Sequence, residues 1–214
     1  MHQSEETDNK PRTKAMLRFP ATWWCAAYFL ADVGVETAIS GWVVSFMLRS
    51  RHATPYLAGL SSSGFWAGMA VGRLVLSLLT DRIGVRKATT LYFAFTIFIE
   101  AFFAVSGDVV VSVLLMVALG FLMGPLFPSG VIVLTQLLPK ELHIAAVSFV
   151  ASLGQVGGAL LPFGIGAVVE GLGIGIFRYA ILVQTILAMV IWIAFARLQP
   201  VVSTTLDRSF AHED

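Results

Sequence analysis

Charge is what this sequence has least of. Asp, Glu, Lys and Arg make up 13% of its 214 residues, roughly half the 25% typical of soluble domains. Hydrophobic residues make up 57%, and the mean hydropathy is +0.82. A soluble core has no room for that much apolar surface, and leaving it outside would create large sticky patches. A water-soluble globule is excluded, and an integral membrane protein remains. A single cysteine, Cys25, rules out an internal disulfide, and its apolar surroundings make it a packing residue. With a net charge of +1, the chain lacks the basic footprint of a nucleic-acid binder. His52 and His143 fall on opposite predicted sides of the membrane, and no His/Cys cluster suggests a metal site. The "GLGIG" at 171–175 follows no strand, so it is not read as a nucleotide loop, and no GxxxxGKS/T occurs. No metal and no cofactor is expected. An intramembrane enzyme would rest on Asp32 and Glu36 alone, without a supporting motif, so the chain is read as a non-enzyme.

What the sequence does have is long apolar runs. A spanning helix needs about 20 mostly apolar residues, and six such stretches lie at about 21–48, 56–79, 88–106, 109–138, 144–170 and 175–196. Between them stand "RSRHATP", "TDRIGVRK", "SGD", "PKELH" and "EGLGIG", all polar or turn-forming. Three parts follow: a disordered cytoplasmic segment over 1–18, a six-helix bundle over 19–198 and a cytoplasmic tail over 199–214. With the amino terminus inside, the cytoplasmic segments hold Lys10, Arg12, Lys14, Arg18, Arg82, Arg86, Lys87, Lys140, Arg197 and Arg208. The outer loops hold Arg49 and Arg51. That bias predicts both termini in the cytoplasm.

The densest charge sits in "LLTDRIGVRK", where Gly84 lets the chain reverse in a tight cytoplasmic turn and the basic residues resist translocation. The stretch resembles the loop signature of major facilitator superfamily transporters, G-x-L-x-D-R-x-G-R-R. Asp81, Arg82, Gly84, Arg86 and Lys87 fit it; Ser77 replaces the first Gly, and Val85 replaces one basic residue. The weaker form of the signature, between helices eight and nine, is the better match. "GVETAISGWVVSFML" resembles the seventh helix of sugar-permease-like fungal and bacterial members. "GFLMGPLFPSGVIVLTQLLP" and "SFVASLGQVGGALLPFGIGAVVEGLG" resemble the tenth and eleventh. The resemblance covers about residues 20 to 197. It implies an all-α polytopic fold, the carboxy-terminal six-helix half of a twelve-helix carrier, with "KPRTKAMLR" closing the central loop. It also implies secondary transport of a small polar solute, possible proton coupling, and a partner: a second copy or an amino-terminal half, within membrane lipid. A plasma membrane is preferred over a vacuolar one. In the family the signature Asp, here Asp81, braces helix ends including one from the opposite half. The alternative is a non-transporting subunit that associates with full-length carriers.

Individual residues sharpen this. Asp32 and Glu36 share one face of the first span, about 6 Å apart along the axis. An intramembrane carboxylate costs at least ~2.5 kcal/mol, so it faces a cavity or a partner. Two together disfavour double ionisation, which suits proton binding; the alternatives are an outer-leaflet position or bonding to Thr37 and Ser40. Gly64, Gly68 and Gly72 form a ridge for close helix packing. Arg73, read as about 9 Å from a cytoplasmic helix end, either snorkels to the interface or joins a cytoplasmic gate. Glu100 is expected near the outer interface or paired within the bundle. Gly120, Gly124, Pro125 and Pro128 give the fourth span a flexible gate or a static kink. In the fifth, Gly154 and Gly158 form a packing pair, and Gln155 contacts either a solute or a neighbouring helix. Gln184 reads as a packing hydrogen bond.

Overall fold

The computed structural model describes residues 15–200. The described chain contains six helices long and apolar enough to cross a membrane. Helix α1 (Pro20–Ser50) opens on a proline, where the missing N–H costs nothing. Helix α2 (Pro55–Ile83) does the same, and the Thr54 side chain accepts from the Leu57 amide. Helix α3 (Val85–Val105) follows after one residue. The fourth span is broken into α4 (Val109–Met123), capped by Asp108, and α5 (Leu126–Leu137), because Pro125 and Pro128 interrupt its amide ladder. A 3₁₀ turn, Lys140–Leu142, leads into α6 (His143–Leu172). A second, Ile174–Ile176, leads into α7 (Phe177–Ala196). The polar ends predicted at 1–18 and 199–214 lie, but for six residues, outside the described residues.

One connection differs from the sequence reading. "DRIGVRK" is not a loop: Asp81–Ile83 finish α2, Val85–Lys87 begin α3, and Gly84 is the whole joint. Gly84 has φ +91°, which L side chains rarely adopt, and its amide donates to Thr80 O at 2.9 Å. Gly173, with φ +85°, makes the corresponding turn between α6 and α7 by donating to Val169 O.

Helix α1 is the hub. It packs most closely on α6, while α2 packs most closely on α4. Exchange the first three spans with the last three and these two pairs change places, the pattern that inverted repeats produce. Lipid gives helices no hydrophobic reason to associate, so contact relies on close approach at small residues. A Cβ on Gly68 would land on Val117 O, one on Gly72 on Phe121 O, and one on Gly120 on Phe65 O. The α1–α6 pair repeats this at Gly34 and Gly157. Here the predicted Gly154–Gly158 ridge is displaced: Gly157 makes the backbone contact, Gly154 faces Phe29 and Val33, and Gly158 touches Thr37 at ordinary distance. Tyr28 fills the core against Phe93, Trp192 and Phe195, with its hydroxyl on Leu126 O at 2.9 Å.

Candidate functional site

Asp32 and Glu36 point into the bundle, 1% and 6% exposed. Both Asp32 oxygens and Glu36 Oε1 are buried without a hydrogen-bond partner. Bonding to the nearby hydroxyls is not what happens. Thr37 donates to Val33 O and Gly34 O, and Ser40 to Thr37 O. Three bare carboxylate oxygens in an apolar interior are costly, and they are the least satisfied group in the molecule. The neighbouring α2, which packs against α1, carries Arg73.

Arg73 does not snorkel. Helix α2 runs on to Ile83, so Arg73 stands about 15 Å from its carboxy-terminal end, near mid-helix. Its Nε donates to Gly124 O at 3.3 Å and its Nη2 lies 3.3 Å from Met69 Sδ, a weak acceptor. In a regular helix Gly124 O would accept from the amide four residues on, but Pro128 has none. Phe121 O loses its partner to Pro125 in the same way, and Gly72 lies against it. Helix α2 thus covers both carbonyls released by the broken span. Pro125 is buried and Pro128 exposed.

Gln155 is elsewhere. It is exposed on α6 in line with exposed Ser148 and Ser152, while Pro128, Ile132 and Gln136 form the exposed stripe of α5. The α6 face ends in a cavity of about 750 Å³ lined by Trp42, Arg49, Pro162, Gly166 and Glu170. Trp42 is fixed there by its indole N–H on Pro162 O at 2.9 Å. The three residues expected to serve solute or coupling are therefore divided: two acids inside the bundle, one amide on its outer face.

At the α2–α3 joint, Asp81 and Arg82 are exposed, and their side chains make no hydrogen bond or ion pair among the described residues. Arg86 reaches across to Leu198 O at 3.2 Å, tying α3 to the end of α7. Near the other end Glu100, fully buried, accepts from Thr185 Oγ1 at 2.8 Å. Of its two expected positions, the structure takes pairing within the bundle.

Some partners escaped sequence reasoning. Arg51 donates to Phe103 O and Arg178 to Ala104 O, so two guanidiniums cap the carboxy-terminal end of α3. Burial and the adjacent Arg178 pull Arg51 below its ordinary value, against a smaller opposing effect of Asp108. Neither the arginines nor Thr185 sit at helical spacing from their partners, so no periodicity could have linked them.

This arrangement has counterparts. The profile of the Major Facilitator Superfamily matches residues 24–212. Bypass of stop codon protein 6 of Saccharomyces cerevisiae is 30% identical over 180 residues, 79% of this chain and 36% of the yeast protein. The structure of the E. coli fucose:proton symporter FucP superposes with a TM-score of 0.75 at 16% identity, over 88% of this chain and 45% of the symporter. The chain thus spans less than half the length of either relative, and the likeness to the symporter is one of fold. With six spanning helices in this pairing and a family profile matched along nearly the whole sequence, the chain belongs to the major facilitator superfamily of membrane transporters.

Proposed function

We propose that this chain is one lobe, the carboxy-terminal one, of a proton-coupled secondary transporter for a small polar solute. It works opposite a second six-helix lobe, either another copy or an amino-terminal half. The observation that carries the reading is the exposed polar stripe Ser148–Ser152–Gln155. Lipid is a poor neighbour for such groups, whereas a water-filled cavity between two lobes suits them, with Gln155 offering donor and acceptor to the solute. The broken fourth span beside it supplies the flexible wall that transporters place at binding sites. Asp32 and Glu36 are the coupling pair. Asp81, Arg82, Gly84, Arg86 and Arg73, with Pro125 and Pro128, serve the conformational change. The free carboxylate of Asp81 is the brace for the absent lobe. Both chain ends lie in the cytoplasm, and the membrane is the plasma membrane.

The test is uptake of a panel of radiolabelled hexoses by liposomes under a proton gradient. With an amino-terminal half as the second lobe, liposomes holding only this chain should stay at background and coexpression with that half should restore flux; with another copy as the second lobe, the chain alone should carry flux as a dimer. Full flux from the chain alone as a monomer would remove the need for a partner, and no flux in any combination would overturn transport. A second reading is a membrane subunit that binds full-length carriers without transporting. A stable complex with such carriers and no added flux would establish it.

A further inference from the structure

Two facts about adjoining helices are odd separately and fit together. The carboxylates of Asp32 and Glu36 carry three buried oxygens with no donor. Arg73 is exposed on α2, which packs against α1; of the five N–H groups of its guanidinium, one makes a long bond to Gly124 O and another lies on a thioether. The Ser62 hydroxyl on Ser40 O sets the register of the two antiparallel helices and puts Arg73 within roughly 5 Å of the level of Asp32, yet the arginine and the acids are not joined. All three elements are at one depth. Asp32 and Glu36 flank the middle of Pro20–Ser50, Arg73 is near the middle of Pro55–Ile83, and Gly124 near the middle of Val109–Leu137.

The one acceptor Arg73 does hold is the carbonyl that Pro128 leaves without a helix donor. The glycine there admits α2 closely: a Cβ on Gly124 would meet Met69 O at 2.6 Å and the Arg73 amide at 2.8 Å. Arg73 is therefore the clasp on the break between α4 and α5.

We propose that Arg73 is a positioning residue that exchanges between two acceptors, the Gly124 carbonyl and the Asp32–Glu36 pair, and thereby links the charge of the pair to the bend of the fourth span. With the pair protonated, nothing draws the guanidinium away and the break stays clasped. When the pair releases its proton to water, a charge-assisted bond to carboxylate outcompetes a neutral carbonyl. Arg73 then swings toward α1, and the hinge at Gly124–Pro128 loses its brace. No rival cation intervenes. On α2 the other ionisable groups, Tyr56, Asp81 and Arg82, sit in the end turns. Helices α4 and α5 carry none. Those of α6 and α7, namely His143, Glu170, Arg178 and Tyr179, lie near helix ends. On α3, Arg86 and Lys87 sit in the first turn, Tyr92 donates to Leu76 O and Glu100 accepts from Thr185. Tyr28 and Cys25 share α1 with the pair, and Arg49 stands in its last turn.

The inference rests on the proposed coupling role of the pair, and its test requires neither solute nor a second lobe. Spin labels are placed at Leu114→Cys and Ile132→Cys, both exposed and on either side of the break, in a Cys25→Ala background in nanodiscs. The distance distribution between them should broaden and shift from acid to alkaline pH. Asp32→Asn with Glu36→Gln should hold the acid distribution at every pH, and Arg73→Gln the alkaline one. Should Arg73→Gln fail to fold, Arg73→Lys, a point charge without the guanidinium fork, should retain a diminished response. An unresponsive wild type, a response surviving in the neutral double variant, or one undiminished in either Arg73 variant would overturn the proposal. Flux without a pH-dependent bend would sink this inference and leave transport standing; a bend without flux would do the reverse.

Discussion

Gly72 and Gly120 occupy places where a methyl group has nowhere to go. Each faces the backbone of the partner helix, and backbone yields less readily than the end of a flexible side chain. Gly72→Ala and Gly120→Ala should each cost about 1–3 kcal/mol, the range for overpacking, read as an earlier thermal unfolding in detergent. Gly59→Ala, with nothing within 4 Å of its added atom, should leave stability unchanged or slightly raised, since alanine is the better helix former. The periodic ridge Gly64–Gly68–Gly72 is visible in the sequence because helical spacing puts these residues on one face. That Gly157 rather than Gly158 touches the partner backbone is not visible, because the rotation of one helix against another is decided by both surfaces together. For the same reason the sequence could pair Asp32 with Glu36, four residues apart, and could not find Arg73, which approaches them from another helix.

At the scale of elements, the fourth span shows what a broken helix requires. Its two prolines were legible as a bend, and so was the apolar stretch around them. What closes the exposed carbonyls was not, since Arg73 and Gly72 come from α2. Pro128→Ala restores an amide four residues beyond Gly124, so the helix can satisfy its own carbonyl. The span should then stiffen, and Arg73→Gln should cost less in that background than in the wild type. A double-mutant cycle on unfolding should give a coupling of about 0.5–3 kcal/mol, the range for groups that share a partner; purely additive effects would place Arg73 outside the hinge. Helix ends were less legible than helix centres. The charges of "DRIGVRK" suggested a loop, yet helix termini tolerate them well: they reach water from the final turn, and one positive-φ glycine suffices to turn the chain.

For the whole molecule, the outward face is not uniform. Leu114 and Phe98 present apolar side chains, while Ser152 and Gln155 present polar ones at membrane depth. Cysteines at Ser152 and Gln155 should react with a water-soluble maleimide in membranes that contain an active transporter, and cysteines at Leu114 and Phe98 should not. Equal protection at all four positions would mean that lipid or protein covers the polar stripe, against a solute cavity. The positive-inside bias and the six-span count follow from composition, which averages over many residues. Which face meets water depends on the lie of the helices around α1.

The single-residue joint at Gly84 has a mechanical meaning. A long connection would absorb motion, but here α2 and α3 are hinged with no slack, and Arg86 fastens the start of α3 to Leu198, just past the end of α7. Any tilt of the inner helix is transmitted to two outer ones, like a crank driving a coupled pair of rods.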